Sequence, residues 1–332
     1  MIADMESPGG DVARMYQAIK DASDYLQKEI GWFIPVNELI KMEGSGEDEI
    51  SIPPVLEISS VLNDETALTS ADYFKIGRDT ERPWWANGPY TMLELNPETQ
   101  FSAFWWDHEP DAVQIQCLRG LFLKSVSTGA TVQDATKQTI GQTTLKVSNG
   151  AALSVGMVLL IGSEQELVTG YGTPIDSTTL LNGTVAITDD VIKLDDVSKV
   201  NVGEVLRVDF EQMKVRDTNT DTNQALVWRG FNKTNRVQHL DNAIVYVYRD
   251  FTVERGVNGT DAAEHATNAA IDRYEPPDDI RYLARQIATL MINKAKSQYA
   301  GKSGNDQTGV VYYNDAFPRF DIERIKEKYF YE

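Results

Sequence analysis

The chain has 332 residues, 42% of them hydrophobic and 24% charged, which is enough for two folded domains and excludes a chain disordered throughout. Its 50 acidic and 31 basic side chains give a net charge of −19, so the outer surface is unsuited to generic binding of nucleic acid. Because Cys117 is the only cysteine, a disulfide within the chain and a cysteine-rich zinc site are both excluded.

The first predicted element is an amphipathic helix. Apolar residues recur at helical spacing from Val12 to Leu26, Asp11 is a residue type that caps helix N-termini, and Gly31 is a stop signal. Short strands are predicted over residues 50–61. Residues 113–117 alternate apolar side chains with glutamines, as a half-buried strand does.

Residues 126–275 contain two internal repeats. A back-half phrase, V-x-R-G-x-N-x-T-x4-H-x2-N-A, starts at Val227 and again 26 residues later at Val253. A front-half phrase, V-G-x-V-L-x-[IV]-x2-E-Q-x2-V, starts at Val155 and again 47 residues later at Val202. The order front, front, back, back indicates either one β module inserted inside another or a back half copied alone, and the sequence leaves both open.

Helical periodicity returns after Pro277, where Asp278 and Asp279 suit a first turn. The apolar face of this helix consists of Ile280, Leu283, Ile287, Leu290 and Met291. A Gly-rich loop then separates it from a short helix over residues 321–331, which places Ile322, Ile325 and Tyr329 on one face.

These elements predict an α+β fold with two domains. Residues 1–125 and 276–332 are expected to pack together as one domain made of the N-terminal helix, a β region and the C-terminal helices. Residues 126–275 are expected to be an insertion of duplicated β modules, each resembling a small sandwich or barrel.

Two histidines and two arginines occupy equal places in the back-half repeat. His239 and His265 could share a metal ion, but neither has a second ligand at the short spacing of metal sites, which favours a structural hydrogen bond. Arg229 and Arg255 could bind a phosphate or a sugar, although an arginine before a tight turn more often ties down loop carbonyls or a carboxylate.

Three other patterns resemble functional sites, and each has a simpler interpretation. His108 lies between Asp107 and Glu109, but neighbouring residues in an extended segment face opposite sides. The sequence from Asp217 to Asp221 opens like a calcium loop but lacks the glycine and the glutamate that such a loop needs, which favours an exposed hairpin. Four of the six tryptophans form two pairs that suit a sugar platform, a core or an interface: Trp84, Trp85, Trp105 and Trp106. We therefore predict that the chain is not an enzyme, that it binds no cofactor, and that it has no catalytic, cofactor-binding or metal-binding residue.

The repeated phrases resemble those of tailed-phage head-to-tail connector (adaptor) proteins of the virion neck. The resemblance rests on residues 203–215, on residues 253–260 followed by His265, and on the frame around them, including Arg119-Gly120 and the Pro276-Pro277-Asp278 helix start. It is weakest over residues 126–190.

This resemblance implies a structural virion protein that forms a ring, commonly dodecameric, with a helical connector core. Such a ring docks on the portal protein, offers a platform to the next neck or tail-completion protein, and lets DNA pass through its lumen without specific binding. The helix from Ile280 to Met291 would belong to the ring core. A C-terminal tail would contact the portal through Phe317, Phe320, Ile322, Ile325, Tyr329, Phe330 and Tyr331.

The expected location is the virion neck, after synthesis in the host cytoplasm. The polar N-terminus and the short apolar runs give no reason to expect a membrane partner. An alternative function, from a different class, is a β-rich carbohydrate-binding or host-binding module of a tail or fibre, with the tryptophan pairs as its contact surface.

Overall fold

A computed structural model describes residues 12–77, 89–99, 105–296, 302–305, 309–312 and 319–329. The chain divides into two compact units. Of the described residues, those within 12–16, 126–257 and 261–273 form the barrel unit. Those within 17–125, 258–260 and 274–329 form the helix-and-sheet unit.

The chain begins with one helix and one antiparallel sheet. These elements are α1 (Val12–Ile30), β1 (Val36–Met42), β2 (Glu49–Asn63), β3 (Thr66–Leu68), β4 (Tyr73–Gly77), β5 (Tyr90–Leu95) and β6 (Val113–Arg119). The strand order is β1-β6-β2-β5-β4, with β3 paired to β2. Strand β2 contains Pro53 and Pro54, which lack an N–H donor, and its register with β5 shifts between Ser51 and Val55.

Fourteen strands follow. In chain order they are β7 (Ser125–Thr131), β8 (Lys137–Gln138), β9 (Thr144–Lys146), β10 (Val158–Ile161), β11 (Glu164–Tyr171), β12 (Ile175–Leu180), β13 (Val191–Lys193), β14 (Val205–Val208), β15 (Glu211–Asn219), β16 (Gln224–Trp228), β17 (Ile244–Val247), β18 (Asp250–Glu254), β19 (His265–Ala266) and β20 (Ala270–Tyr274). Twelve of them form two six-stranded antiparallel sheets, and β8 pairs with β19.

Each six-stranded sheet closes on itself as a small barrel. The outer barrel has the order β7-β20-β10-β11-β18-β9, and the bridge between Val132 and Val147 joins its two ends. The inner barrel has the order β12-β17-β14-β15-β16-β13, and the bridge between Leu181 and Leu194 joins its ends. Period-2 alternation turns the apolar side chains of both barrels inward, where each barrel has its own hydrophobic cluster.

The two barrels have the same topology, and one lies within the chain of the other. The front half β9–β11 pairs with β18 and β20 of the second back half, whereas β13–β15 pair with β16 and β17 of the first. The inner barrel therefore leaves the outer one after β11 and returns at β18. At that point the backbone N–H of Gly172 donates to the carbonyl of Asp250 at 2.8 Å.

The described chain ends with α2 (Asp278–Lys296), the hairpin β21 (Lys302–Asn305) and β22 (Gly309–Tyr312), and α3 (Arg319–Tyr329). The three helices share one hydrophobic cluster with the segment after β6. Its buried residues are Ala22, Leu26, Ile30, Phe33, Leu121, Phe122, Ile280, Leu283, Ile287, Ala288, Ile322 and Ile325. Within the described ranges, none of these helices is both long and apolar enough to cross a bilayer.

The predicted α+β fold with a helical connector core is wrong, because the described chain is mostly β. Periodicity located the helices, but they are 19, 19 and 11 residues long, against twenty-two strands in the described ranges. The physical reason is that the segments rich in Thr, Gly and Val between the helices all form antiparallel pairs. The expectation of a helical core came from the family resemblance and not from these residues.

We expect the inner barrel to be removable. Replacement of residues 173–249 by Asn-Gly should leave the outer barrel folded, because Gly172 and Asp250 already face each other across an antiparallel pair that a two-residue turn can join. Amide NMR of the shortened chain should retain the dispersed signals of the outer barrel. Residues 173–249 expressed alone serve as the matched control and should also fold. A shortened chain without dispersed signals would contradict the nested topology.

Candidate functional site

Each barrel has a fully buried glutamate at the start of one strand. Glu164 begins β11 and Glu211 begins β15, and both are 0% exposed. A carboxylate without water is costly unless donors inside the protein replace its hydration. The donors come mainly from Arg255, which follows β18, and from Arg229, which follows β16.

In the inner barrel the arginine forms a two-pronged ion pair with the glutamate. Nε and Nη2 of Arg229 donate to Oε1 and Oε2 of Glu211 at 2.6 and 2.7 Å. The same guanidinium donates to three carbonyls, those of Ala186 at 3.0 Å, Asp189 at 2.9 Å and Val237 at 2.6 Å. It thereby fastens two loops to the strand.

The glutamate accepts three further contacts. The backbone N–H groups of Gly230 and Val237 donate to it at 2.9 and 3.0 Å, and Nε2 of His239 lies 3.0 Å from Oε2. Burial alone would raise the pKa of Glu211. The hydrogen bonds from Arg229, Val237, His239 and Gly230 outweigh burial and lower its pKa to about 2.

The outer barrel repeats this network contact by contact. Arg255 pairs with both oxygens of Glu164 at 2.7 Å, and it donates to the carbonyls of Thr139, Gln142 and Ala263. The remaining contacts to Glu164 come from the backbone of Gly256 and Ala263 and from Nε2 of His265 at 2.8 Å. Burial raises the pKa of Glu164, and these hydrogen bonds lower it below its usual value.

The two networks differ at two places. In the inner barrel Nδ1 of His239 contacts Asp209 at 2.8 Å, and the outer barrel has Gly162 at the position of Asp209. Conversely, the outer barrel has Glu166 where the inner barrel has Met213. The outer cluster therefore contains a second fully buried carboxylate.

Glu166 is the least satisfied group of the cluster. Its Oε2 accepts a hydrogen bond from Gln138 at 3.3 Å, whereas Oε1 accepts none from the described residues and lies 3.0 Å from Nε of Arg255. Burial raises the pKa of Glu166 to about 7, against the lowering effect of Arg255 and Gln138; the charges of Glu164 and Asp134 raise it further.

The outer cluster has the composition of a metal site but not its electrostatics. Among the described residues, Glu164, Glu166 and His265 are the one group whose ligand atoms lie within 4.8 Å of one another. However, both oxygens of Glu164 already accept from Arg255, and the guanidinium also faces Glu166. A divalent cation would have to lie beside that fixed positive charge, so the residues do not fit a metal.

The structure confirms the simpler interpretation of the repeated histidines and arginines. His239 and His265 make buried hydrogen bonds in separate barrels, and Arg229 and Arg255 tie loop carbonyls to a carboxylate. Each histidine contacts the glutamate of its own barrel.

The described residues of the other three patterns do not come together as a site. His108 is exposed, and the Asp107 carboxylate accepts from the backbone of Glu109. Asp217 and Asn219 lie at the end of β15 beside the hairpin to β16, so the calcium-like sequence is a hairpin. Trp106 is fully buried and its indole donates to the carbonyl of Asp48, whereas Trp105 is half exposed. Trp84 and Trp85 lie outside the described residues.

The residues assigned to a ring core and a portal-contacting tail lie in and around the helical cluster. Ile280, Leu283 and Ile287 are buried there, while Leu290 and Met291 are half-buried. Ile322 and Ile325 of the tail are buried in the same cluster. Phe320 and Tyr329 lie in α3 without described side chains, and Phe317, Phe330 and Tyr331 lie outside the described residues.

The glutamates were missed as site residues. Glu164 and Glu211 were visible as the repeated Glu-Gln of the front half, and a shared acid beside a shared Arg-Gly was the signal that could have paired them. Glu166 is one of several charged differences between the two copies of that phrase, so the sequence does not single it out. Its burial could not have been predicted, because period-2 alternation alone does not say which face of a strand is closed.

Comparison of the chain with protein-family models, with curated proteins and with solved structures gives no significant match.

Replacement of Arg229 by Met should strongly destabilise the inner barrel. It leaves Glu211 as a buried charge without its counter-ion, a loss of roughly 3–5 kcal/mol in the free energy of unfolding. Urea unfolding followed through the amide NMR signals of the inner barrel measures the loss. The control is Arg236→Met, which breaks an exposed pair with Asp190 and should cost no more than about 1 kcal/mol. Equal losses in both variants would contradict the structural role of Arg229.

Replacement of Glu166 by Met, the residue of the inner barrel, should remove a pH dependence from the stability of the outer barrel. The folded pKa of about 7 lies above the unfolded value. The stabilising contribution of the proton is therefore complete below about pH 4.3 and is lost as pH rises through the folded pKa, at ~1.4 kcal/mol per pKa unit. Urea midpoints of wild type should fall between weakly acidic and weakly alkaline buffer, and those of the variant should fall less.

The matched control for this experiment is Glu264→Gln, which removes an exposed carboxylate of the same barrel. Its pH dependence should equal that of wild type. If Glu166→Met also keeps the wild-type pH dependence, Glu166 does not titrate in this range.

Proposed function

We propose that this chain is a structural virion protein without enzymatic activity, a head-to-tail connector that forms a ring with other copies and docks on the portal. The observation that carries its structural role is the duplicated ionic network. In both barrels the glutamate, arginine and histidine that suggest chemistry are buried and make hydrogen bonds to the protein itself.

An acid or base that acts on a substrate must reach the proton that it transfers. Glu164 and Glu211 are closed to solvent and accept several donors each, and their lowered pKa values keep them ionised as permanent acceptors. A group of this kind stabilises a fold. The presence of the same network in two barrels supports the same role, since the second copy repeats the loop contacts as well as the charges.

The place in the neck rests on the resemblance of the repeated phrases to connector proteins. In this proposal the ring wall is built mainly of β structure, and the C-terminal tail contacts the portal through its terminal aromatic residues. The net charge of −19 fits a lumen that DNA passes without binding, because acidic walls repel phosphates. The next neck or tail-completion protein would bind the opposite side of the ring.

The connector function is testable with the portal protein of the same virus. Electron microscopy of the purified mixture should show a cyclic complex of this chain docked on the portal. Phe330→Ala with Tyr331→Ala should weaken portal binding by roughly tenfold or more, because terminal aromatic residues are frequent interface anchors. The control is Tyr282→Ala, an exposed tyrosine of α2. A chain that ignores the portal would refute the proposal, and unchanged binding of the double variant would refute the tail contact.

A further inference from the structure

The two barrels provide a comparison within one chain between residues that the fold requires and residues that it does not. The two barrels share their strand order and their ionic network. Where one barrel has an exposed apolar residue and the other has a small or polar residue at the same position, the fold therefore does not require the apolar residue. Such positions occur on two surfaces of the inner barrel.

The first surface lies at one end of the inner barrel, and we call it the tip. It consists of the exposed apolar residues Ile187, Phe210, Val237 and Leu240. Phe210 is 94% exposed and Leu240 is 71% exposed. The outer barrel has Ser163, Ala263 and Ala266 in place of Phe210, Val237 and Leu240, whereas Ile187 corresponds to the exposed Ile140 and is not specific to the inner barrel.

The ionic network brings the tip residues together. Val237 contacts both Arg229 and Glu211, Ile187 follows Ala186, Phe210 precedes Glu211, and Leu240 follows His239. Each is therefore within one residue of the Arg229 network. Exposed acidic side chains surround them, namely Asp189, Asp190, Asp209 and Asp241, with Arg236 paired to Asp190.

The second surface is the outward side of neighbouring strands β13, β16, β15 and β14, and we call it the face. Its apolar residues include Val191, Leu226 and Trp228, the last 45% exposed. Val191 pairs with Leu226 across the strands, and Trp228 pairs with Lys214. The outer barrel has Thr144, Thr252 and Glu254 at the three apolar positions.

The face is also cationic within an acidic chain. Lys214 lies 5.5 Å from the ring of Phe231, which packs on Trp228, and Arg207 lies 4.7 Å from the ring of Tyr246. Lys193 lies opposite Gln224 on the same side of the sheet, and the acidic Asp217 lies opposite Leu226. The tip is thus apolar with acidic neighbours, and the face is apolar with mainly basic neighbours.

We infer that the tip of one copy packs against the face of another copy of this chain. A second copy is the occupant that matches both surfaces in charge and in apolar character. The acidic neighbours of the tip disfavour an anionic lipid surface. An acidic polymer would complement the face but leave the tip unexplained. This contact would be the interface between neighbouring subunits of the proposed ring. The closure of the contacts into a ring rests on the proposed function, whereas the contact between two copies does not.

Variants copied from the outer barrel test the contact. The tip variant carries Phe210→Ser and Leu240→Ala, and the face variant carries Leu226→Thr and Trp228→Glu. Both should fold, because the same residues occupy these positions in the folded outer barrel, and thermal unfolding verifies this. Analytical ultracentrifugation of the full chain should show that wild type self-associates and that each variant does so roughly tenfold or more weakly. Ile140→Ala, an exposed apolar residue of the outer barrel, should leave association unchanged.

Mixing the two variants gives the decisive result. The intact face of the tip variant should bind the intact tip of the face variant, so the mixture should form a complex that neither variant forms alone. A wild-type chain that stays monomeric, variants that associate like wild type, or a mixture that stays monomeric would each overturn the inference. Binding of an acidic polysaccharide to the face without self-association would overturn it in favour of a glycan.

Portal binding is measured separately. If the chain does not dock on the portal but the two variants still form a mixed complex, the connector function is refuted and the tip-to-face contact stands. If the tip variant still forms a ring on the portal, the tip-to-face contact alone is refuted.

Discussion

Each barrel depends on a carboxylate that water does not reach. Because Glu211 and Glu164 are enclosed, each needs a guanidinium beside it. The remaining N–H groups of that planar guanidinium then donate to backbone carbonyls in fixed directions. The loops that supply those carbonyls are positioned by one side chain. The residue after the arginine must turn its own N–H to the same carboxylate, and Gly230 and Gly256 do so with φ values of 65° and 60°. The Arg-Gly pair of the repeat is therefore a geometric requirement of the buried charge.

The divergence of the two copies shows which parts of the network are fixed. Both barrels have the Glu–Arg–His contacts, but the additional carboxylate differs. In the inner barrel it is Asp209, which is exposed and contacts His239, and in the outer barrel it is Glu166, which is buried. An interior carboxylate faces the same arginine as its neighbour and competes with it for donors. We therefore expect the outer barrel to lose stability as pH rises through the pKa of Glu166, a dependence that Met213 cannot give the inner barrel.

Sequence patterns identified the repeats, the helix positions and the hydrogen-bonding role of the repeated histidines. They failed on the architecture, because the share of helix was taken from a resemblance and because Thr-rich and Gly-rich segments without strong alternation still form strands when a partner strand is present. They also missed Glu164 and Glu211, since pairing a front-half acid with a back-half arginine requires knowing which halves meet. That information lies in the strand pairing of residues far apart in sequence, and no local pattern contains it.

The nested arrangement has a kinetic consequence. The outer barrel needs β11 and β18 to meet, yet the whole inner barrel is synthesised between them. A flexible segment of that length adds to the entropic cost of closing the pair, by about 0.6 kcal/mol for each doubling of the loop. An inner barrel that has already folded replaces this flexible segment with a body whose two ends lie side by side, since β11 and β18 pair up to the point of insertion. The chain should therefore fold from the inside outward, and the outer barrel should form faster once the inner barrel has folded.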